Sequence, residues 1–522
     1  MARIDTPEAG VIKQRATELA TVRDKYRDRA REYAKVTLPY LLPEVEETDS
    51  VEFQNDYNTE GAKLVNAAAN TYVQTLFPSG RSFIRFQMEE EDFKELEKQG
   101  ESKAQVETLF ATVERNFRQR FEVVGSRVAA LEALKQLIVT GNVLVHKMPE
   151  KKTNTYAIDE FMVLRGLDGT LEEIITVDKK FIASLDEELR ANVLSEMKVE
   201  EDDVETVVEL YTWIRRGSEG DRDMWYVDQA VESIPVGEQQ TFKTDALPWI
   251  PVMWQRTRRE MYGRGLVEEH YGSFWTLSIL TEAMAIGCVS LADIKYLVRP
   301  GSLVNVEELN ASASGSYHYG EADDINAIST DRQRDIILIK DVIEVYKRHL
   351  AEVFMYLPGT MRDAERVTAE ENRLRARSLE KAHGGVYSTL ADTFQRPYAL
   401  LLLDEMGVGN LETDGVKLVI TTGQDALSRG NENDNINHWL SDLAGLGQVP
   451  EPVLRGIKII DFAKKTAAGR DVDYSAIVMS EQEMQQAAQA QQQQQEQAVA
   501  GQELAKKADP EQLAAAMQQG RG

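Results

Sequence analysis

Two stretches of the chain predict unusually long helices, and they constrain the fold more than any other feature. No proline occurs between Pro251 and Pro300, and residues 264–291 within that stretch suit one continuous helix. A second long helix is predicted over residues 331–357, which Pro358 and Gly359 follow. The residues between the two helices have strand and loop chemistry. The pattern therefore predicts two long antiparallel helices around a compact tip that contains β-structure.

The second predicted helix has apolar residues at alternating steps of three and four, the pattern of a heptad seam. The seam residues are Ile336, Ile339, Ile343, Tyr346, Leu350, Val353 and Leu357. A seam of this length requires a helical partner, and the residues leave two open: the first long helix or a neighbouring subunit. On the first long helix, Cys288 shares an apolar face with Leu277 and Met284, so it is expected to be a small core residue.

The rest of the chain predicts a mixed fold of the α+β class that is mainly helical. A first helix is expected to begin at Thr6 and Pro7, with an apolar stripe from Ile12 to Tyr33. Residues 143–255 have the short alternating runs that are typical of strands. Toward the C-terminus, residues 485–497 are almost all Gln and Ala, a composition that permits a solvated helix or disorder.

A pair of glycines interrupts a further predicted helix that begins near Thr368. Gly384 and Gly385 indicate a kink or a close backbone approach at that point. A phosphate-binding loop is not expected there, because no strand precedes the pair and no Gly-Lys-Ser/Thr follows it.

Composition excludes several classes of protein. The chain has 522 residues and a net charge of −27, which argues against a free monomer that coats nucleic acid. One cysteine excludes a disulfide framework and a multi-cysteine zinc site. No uncharged apolar run approaches 18 residues, so no membrane span is expected. We expect a soluble intracellular protein or a particle component made in a cytosol.

The residues provide no argument for catalysis or for a cofactor. The P-loop, GxSxG, HExxH and CxxC motifs are all absent from the sequence. The best metal-like cluster comprises His318, Glu321, Asp323 and Asp324, but it lies in a Ser/Gly-rich stretch that is typical of a polar surface turn. We therefore predict neither an enzyme nor a metal site.

Several short segments occur in an order that resembles one protein family. They are residues 130–137 (ALEALKQL), 141–144 (GNVL), 262–265 (YGRG), 365–371 (ERVTAEE), 384–388 (GGVYS), 421–423 (TTG) and 429–430 (RG). On these segments, and over about residues 10–470, the chain resembles the portal, or head-to-tail connector, proteins of short-tailed bacteriophages (podoviruses). Residues 292–330 and those beyond Ser480 depart from the family pattern.

The resemblance implies a portal fold with a wing, a two-helix stem, a small clip and a helical crown, assembled as a ring, usually of twelve subunits, at one capsid vertex. Genome DNA, which is double-stranded, would enter and leave through a central channel. The implied partners are other copies of the chain, the terminase large subunit, tail adaptor proteins, and the scaffold, major capsid and internal core proteins. The implied location is the virion, after assembly in the host cytoplasm. The terminase would hydrolyse ATP, and no cofactor is implied for this chain.

Carried over by position, the resemblance also implies a map of the chain. The expected parts are a wing over 1–262, stem helices over 263–291 and 331–357, a clip over 292–330, a channel loop over 358–367, a kinked wing helix and strand over 368–425, a crown over 426–480 and a tail over 481–522.

The channel loop carries the best candidates for contact with DNA, Arg362 and Arg366. Lys340, Lys347 and Arg348 of the second stem helix are further candidates. The alternative is that the two loop arginines pair with Asp363 and Glu365, or with a neighbouring subunit.

Two other functions remain open at this stage. The chain could be a different helical assembly protein, a scaffold or an adaptor, in which the seam forms a plain coiled coil. Its β-rich segment counts against an elongated scaffold. It could also be an enzyme with an unrecognised site, which an assay of nucleotide turnover would detect.

Overall fold

The computed structural model describes the N-terminal four-fifths of the chain with gaps. The described residues are 6–8, 10–43, 58–78, 82–88, 103–149, 152–197, 206–219, 222–292, 295–321, 323–328, 333–356, 385–408 and 416–420. The predicted channel loop, crown and tail lie outside them, and so do Arg362, Arg366, Leu357 and Gly384.

The described residues form a mixture of helices and strands. The helices are α1 (Val11–Lys35), α2 (Glu60–Leu76), α3 (Lys103–Val123), α4 (Ser126–Thr140), α5 (Glu187–Met197), α6 (Leu266–Ala292), α7 (Val306–Ala311), α8 (Gln333–Val353) and α9 (Arg396–Glu405). The strands are β1 (Ile84–Met88), β2 (Asn142–Lys147), β3 (Thr153–Tyr156), β4 (Phe161–Arg165), β5 (Leu171–Phe181), β6 (Val207–Glu219), β7 (Arg222–Val231), β8 (Ile234–Lys243), β9 (Trp249–Met253), β10 (Lys295–Val298), β11 (Ile325–Ile328) and β12 (Val416–Ile420).

The strands form four antiparallel sheets in the described residues. The largest has the order β4-β5-β6-β7-β8, and a smaller one has the order β3-β2-β9. Both lie within the predicted β-rich segment 143–255 or one residue from it. The remaining sheets are the pairs β1-β12 and β10-β11. The pair β1-β12 aligns Ile84 with Ile420, so it joins two parts of the chain that are far apart in sequence.

The main core lies where α2, α4 and β2 meet. Ala68, Tyr72, Leu134, Leu137 and Leu144 are all fully buried there. Their spacing puts one face of each helix against the core, as an amphipathic helix requires. In β2 the buried residues run without alternation, because the strand has a neighbour on each side and is covered on both faces.

Helix α1 packs on the five-stranded sheet as a separate cluster. Ile12, Ala16 and Leu19 pack with sheet residues that include Ile175 and Trp213. The predicted stripe is therefore buried at its N-terminal end in this cluster, and its C-terminal half packs against the main core through Tyr26, Ala30 and Tyr33. The predicted helix start at Thr6 and Pro7 is wrong, since α1 begins at Val11 after Gly10, whose φ of 80° lies in the left-handed region and breaks the helix.

The two long helices are confirmed, although the second is shorter than predicted. Helix α6 begins and ends within two residues of the predicted bounds, whereas α8 ends at Val353 rather than at Leu357. Met355 has a φ of 59°, so the chain leaves the helical conformation before it reaches Pro358. Between the helices, β10 and β11 pair as expected of the tip, and the short helix α7 was not predicted.

One helix in the described part of the chain, Leu266–Ser290, has the length and composition of a membrane span, and 17% of its apolar 18-residue window is buried. The sequence did not predict a span here because Glu282 interrupts the uncharged apolar run, although the mean hydropathy of the segment is that of a span. Cys288 is exposed on this helix, so its prediction as a core residue is wrong for this chain.

Candidate functional site: the two long helices and their base

Helices α6 and α8, which we call the helix pair, pack side by side in opposite directions. Near the tip, the Cδ1 atom of Ile336 lies 3.6 Å from the point where a Cβ of Gly287 would be. At the other end, the ring centroids of His270 and His349 are 5.8 Å apart. These contacts show that the partner of the predicted seam is the first long helix, one of the two alternatives that the sequence left open.

The seam residues become more buried toward the base of the pair. Ile343 is 3% exposed and Leu350 is fully buried, while Ile339, Tyr346 and Val353 pack at the edge of the same cluster. Ile336 is half-buried against α6. Burial of apolar area contributes about 25 cal/mol per Å², so the seam near the base stabilises the pair most.

An aromatic contact joins the two helices at their base. Phe274 of α6 and Phe354, which follows α8, are both buried and meet edge to face at 5.4 Å between ring centroids. Tyr271 packs against Tyr33 of α1 at 5.2 Å. Burial lowers the pKa of His270, nearby Glu269 raises it, and His349 lowers it further. The net direction is downward, so His270 is neutral at neutral pH.

Three glycines, Gly141, Gly263 and Gly265, allow the chain to begin α6 in close backbone contact with the end of α4. A Cβ at Gly141 would lie 2.4 Å from the carbonyl carbon of Arg264, and a Cβ at Gly265 would lie 2.8 Å from the carbonyl oxygen of Ile138. Gly141 also has a φ of 78°, which an L side chain rarely adopts. The side chain of Asn142 locks this contact, since its Nδ2 donates to the carbonyl of Gly263 (2.9 Å) and its Oδ1 accepts from the Gly263 N–H (2.6 Å).

This glycine contact brings together two of the segments that carried the family resemblance, GNVL at 141–144 and YGRG at 262–265. Within the second, the hydroxyl of Tyr262 accepts a hydrogen bond from the backbone N–H of Val163 at 3.1 Å, which ties the start of α6 to β4. Sequence reasoning singled out both segments but did not predict that they touch. The glycines in each were the available signal, because a close approach of two backbones favours glycine.

A buried polar network attaches α9 to the N-terminal part of the chain. The Lys147 ammonium, which is 2% exposed, donates to Glu405 Oε2 at 2.7 Å, and Arg120 pairs with Oε1 of the same carboxylate. Burial alone would raise the pKa of Glu405, but the bonds from Lys147 and Arg120 outweigh it and lower the pKa below its ordinary value. Sequence reasoning missed these residues, because single charged residues in separate elements leave no pattern.

Of the predicted glycine pair, the structure describes Gly385, which begins a described helical segment, so the kink predicted at the pair stays a prediction. Nothing lies within 4 Å of a Cβ position at Gly385, so a close backbone approach is wrong for that residue. Further along this segment, the π-helix Ala391–Gln395 forms an irregular turn that continues into α9. There the fully buried Gln395 donates from Nε2 to the carbonyl of Leu76 at the end of α2.

Three of the five candidate DNA-contacting residues lie on α8. Lys340 and Arg348 are exposed and Lys347 is half-buried. The four cations of α8 are matched by four anions, so the helix is neutral overall.

Among the described residues, no three His, Cys, Asp or Glu side chains come together as a metal site. His318 instead hydrogen-bonds Ser316, and Asp324 accepts from the backbone of Glu321, as in a polar turn.

Comparison with known proteins confirms the resemblance. The profile of the family described as bacteriophage head to tail connecting protein matches residues 9–478. The portal protein of Enterobacteria phage SP6 is 36% identical over 464 residues, which cover 89% of each chain. The portal protein of Escherichia phage T7 is 29% identical over 475 residues, which cover 89% of this chain and 87% of the relative.

Among solved structures, a chain from the neck of an empty gene transfer agent particle aligns with 76% of this chain and 87% of its own length, at 11% identity and a TM-score of 0.38. Family membership rests on the sequence matches rather than on this likeness. Neither the family nor the relatives above are described as enzymes. On the match over residues 9–478, the chain belongs to the bacteriophage head to tail connecting protein family.

Proposed function

We propose that this chain is the portal of a short-tailed phage, a ring at one capsid vertex through which double-stranded DNA enters during packaging and leaves on infection. The observation that carries the proposal is the match to portal proteins along nearly the whole chain. The ring has about twelve copies. The terminase large subunit and later the tail adaptor dock on it, and scaffold, capsid and internal core proteins surround it during assembly.

The helix pair supplies the stem in this proposal. The wing comprises residues 1–262, the clip 292–330, the channel loop 358–367 and the kinked helix and strand 368–425. The crown comprises residues 426–480. Three features support this map: α6 and α8 run in opposite directions, β10 and β11 form a small sheet between them, and a dense core lies at their base.

DNA contact in the channel has to be weak and repeated, since each neutralised phosphate adds affinity that must later be lost. A chain with a net charge of −27 and a neutral α8 fits that requirement. Arg362 and Arg366 of the channel loop, with Lys347, Arg348 and Lys340 of α8, are the proposed cations. Replacement of both loop arginines with alanine is expected to lower packaging or genome retention, and unchanged values for both would contradict their role.

A plain coiled-coil scaffold explains less of the molecule. The seam is covered by α6 of the same chain, and the described residues include a five-stranded and a three-stranded sheet. An elongated scaffold has no need of either.

The test of the proposed function is the mass and shape of the full chain. Light scattering with negative-stain images of the same peak is expected to show a closed ring of about a dozen copies with a central hole. A stable monomer or an elongated dimer at every concentration, also when the scaffold is added, would contradict the proposal.

A further inference from the structure

The turn between β4 and β5, residues 166–170, holds two arginine side chains next to each other. Nη1 of Arg165, the last residue of β4, lies 3.5 Å from the carbonyl oxygen of Gly169. Arg256, which follows β9, donates from Nη2 to the carbonyl of Asp168. The two acceptors are consecutive in the chain, and the charge of Arg256 acts on Arg165, so the two guanidinium groups are neighbours. We call Arg165 and Arg256 the arginine pair.

A glycine makes room for this arrangement. A Cβ at Gly169 would lie 1.2 Å from Nη2 and 1.9 Å from Cζ of Arg256, and the φ of Gly169 is 86°. The guanidinium group of Arg256 therefore rests directly against the backbone of the turn. Any side chain at position 169 would displace it.

The charge of the arginine pair is not balanced by an ion pair within the part of the chain that the structure describes. A guanidinium group has five N–H donors, and each of these two makes one hydrogen bond there. Arg165 is half-buried, and its Nε is enclosed without a hydrogen-bond partner. Burial lowers the pKa of Arg165 to about 10, and Arg256 contributes to that shift, so both groups remain charged at neutral pH. Two adjacent cations, one of them half-buried, favour an anion from outside the chain.

The residues beside the arginine pair add two more exposed cations and one exposed apolar group. Arg258 and Arg259 are the central residues of a turn that the bond from the Glu260 N–H to the carbonyl of Thr257 closes at 3.0 Å. Both are exposed, and neither has an ion pair among the described residues. At the tip of the β4–β5 turn, Leu167 is 91% exposed. A cationic surface with an apolar tip is thus present on a chain whose net charge is −27.

The chemistry of the turn favours a protein carboxylate over nucleic acid. A carboxylate accepts parallel N–H bonds from a guanidinium group. The turn also carries two carboxylates, since Thr170 donates from its hydroxyl to Asp168 Oδ1 at 2.7 Å and to Glu172 Oε1 at 3.2 Å. These would repel the closely spaced phosphates of a duplex, whereas a single carboxylate can lie at the arginines. Leu167 offers a contact for an apolar side chain, and arginine is enriched at interfaces between proteins.

We propose that the β4–β5 turn is a docking site for an acidic segment of a partner protein. Arg165 and Arg256 hold one carboxylate of that segment, and an apolar side chain of it packs on Leu167. Arg258 and Arg259 attract further acidic residues. This goes beyond the proposed function, because it depends neither on the ring nor on the channel.

The test is the binding of a fluorescein-labelled peptide of alternating Glu and Leu to the full chain, read by fluorescence anisotropy. The wild type is expected to bind it and not to bind the peptide with Gln in place of Glu. Arg165→Gln and Arg256→Gln are each expected to raise the Kd about tenfold, which corresponds to about 1.4 kcal/mol. The control is Arg299→Gln, which removes an exposed arginine that also has no ion pair among the described residues; it should bind like the wild type.

A backbone variant tests the position of Arg256 without removing its charge. Gly169→Ala, which displaces the guanidinium group, is expected to weaken binding of the same peptide about fivefold. Gly237→Ala on β8 is its control, because φ there is 69° but no atom lies within 4 Å of the Cβ position. It should bind like the wild type, since it introduces similar backbone strain away from the turn.

A second measurement uses the stability of the free chain. Arg165→Met keeps most of the side-chain volume and removes the unbalanced charge, so it is expected to raise the Tm by about 2 °C while it weakens peptide binding. A lower Tm would show that the charge of Arg165 is balanced within the chain, and it would overturn the proposal.

Three binding results would also overturn it. They are a wild type that does not bind the Glu-Leu peptide, arginine variants that bind it like the wild type, and a labelled DNA duplex that binds more tightly than the peptide and loses affinity in the same variants. The last result would assign the turn to nucleic acid. None of these results changes the mass or shape of the full chain, so the test of the proposed function stands apart.

Discussion

The part of the molecule outside the helix pair, which we call the body, differs from the pair in how its apolar residues are covered. In the body, the buried faces of α2 and α4 are closed by strands of the same chain, and the charges at the core edge are paired. In the helix pair, the seam of α8 is covered by α6, but large apolar residues of both helices remain exposed. They are Trp275, Ile279, Ile286 and Val289 of α6 and Ile337, Leu338 and Val345 of α8. Within the described residues, the core faces of the body are thus covered by one copy, whereas the helix pair keeps large apolar residues exposed along both of its helices.

The largest effect is expected where the pair joins the body. Gly141→Ala should lower the free energy of unfolding by about 3–5 kcal/mol, because its Cβ would meet the backbone of Arg264 and its φ is positive. The control is Gly125→Ala, where φ is 72° but no atom lies within 4 Å; it should cost about 1 kcal/mol. Equal losses in denaturant unfolding would show that the close approach does not stabilise the junction.

The next effect concerns the buried network of the body. Glu405→Gln should cost about 3 kcal/mol, because it leaves the buried Lys147 ammonium without its anion. Adding Lys147→Met to that variant should recover more than half of the loss, since the uncompensated charge is gone. If the double variant is less stable than Glu405→Gln, packing of the lysine stem rather than its charge is what matters.

The same network predicts a pH dependence. The pKa of Glu405 lies below its ordinary value of 4.5 in the folded chain, so its contribution is fully present above about pH 4.5 and is lost as the pH falls through the folded pKa. The stability difference between wild type and Glu405→Gln should therefore shrink as acid is added. A difference that is constant between pH 7 and pH 3 would contradict this.

A smaller effect distinguishes the two sides of α8. Leu350→Ala, at a fully buried seam position, should cost about 2–4 kcal/mol, whereas Leu338→Ala, at 65% exposure, should cost under about 0.5 kcal/mol in the single copy. Thermal unfolding of ring-free protein at low concentration measures both. Similar losses would mean that the two sides of α8 are equally covered in one copy, against the comparison drawn above.

The smallest effect is expected from the histidines at the base of the pair. Burial and His349 lower the pKa of His270 in the folded chain. The contribution of neutral His270 to the free energy of unfolding is therefore fully present above its ordinary pKa of 6.5, and it is lost as the pH falls below that value. Amides of α6 should exchange faster at pH 5.5 than at pH 7.5, after correction for the intrinsic rate, by a factor equivalent to under about 1 kcal/mol. His270→Gln should abolish the difference; if it persists in that variant, another group is responsible.

The sequence by itself determined the elements whose pattern is local and repeated. The two long helices, the seam and the β-rich segment all follow from periodicity and from the absence of proline, and each is present within a few residues of its expected position. The motif order also identified the family. Local errors fell where one residue overrides a pattern, as Gly10 does at the start of α1 and Met355 does after α8.

Only the tertiary structure decided which surfaces meet. The sequence left open whether the seam of α8 faces a neighbouring copy, and in the structure it faces α6. The segments GNVL and YGRG form one contact, although Asn142 and Gly263, which are hydrogen-bonded there, are 121 residues apart. Glu405 forms ion pairs with Lys147 and Arg120, which lie in two other elements. Such pairings depend on the three-dimensional path of the chain, so no local spacing encodes them. The exposure of Cys288 and of Trp275, Ile279, Ile286 and Val289 on α6 has the same origin, because an apolar residue is buried only where the fold supplies something to cover it.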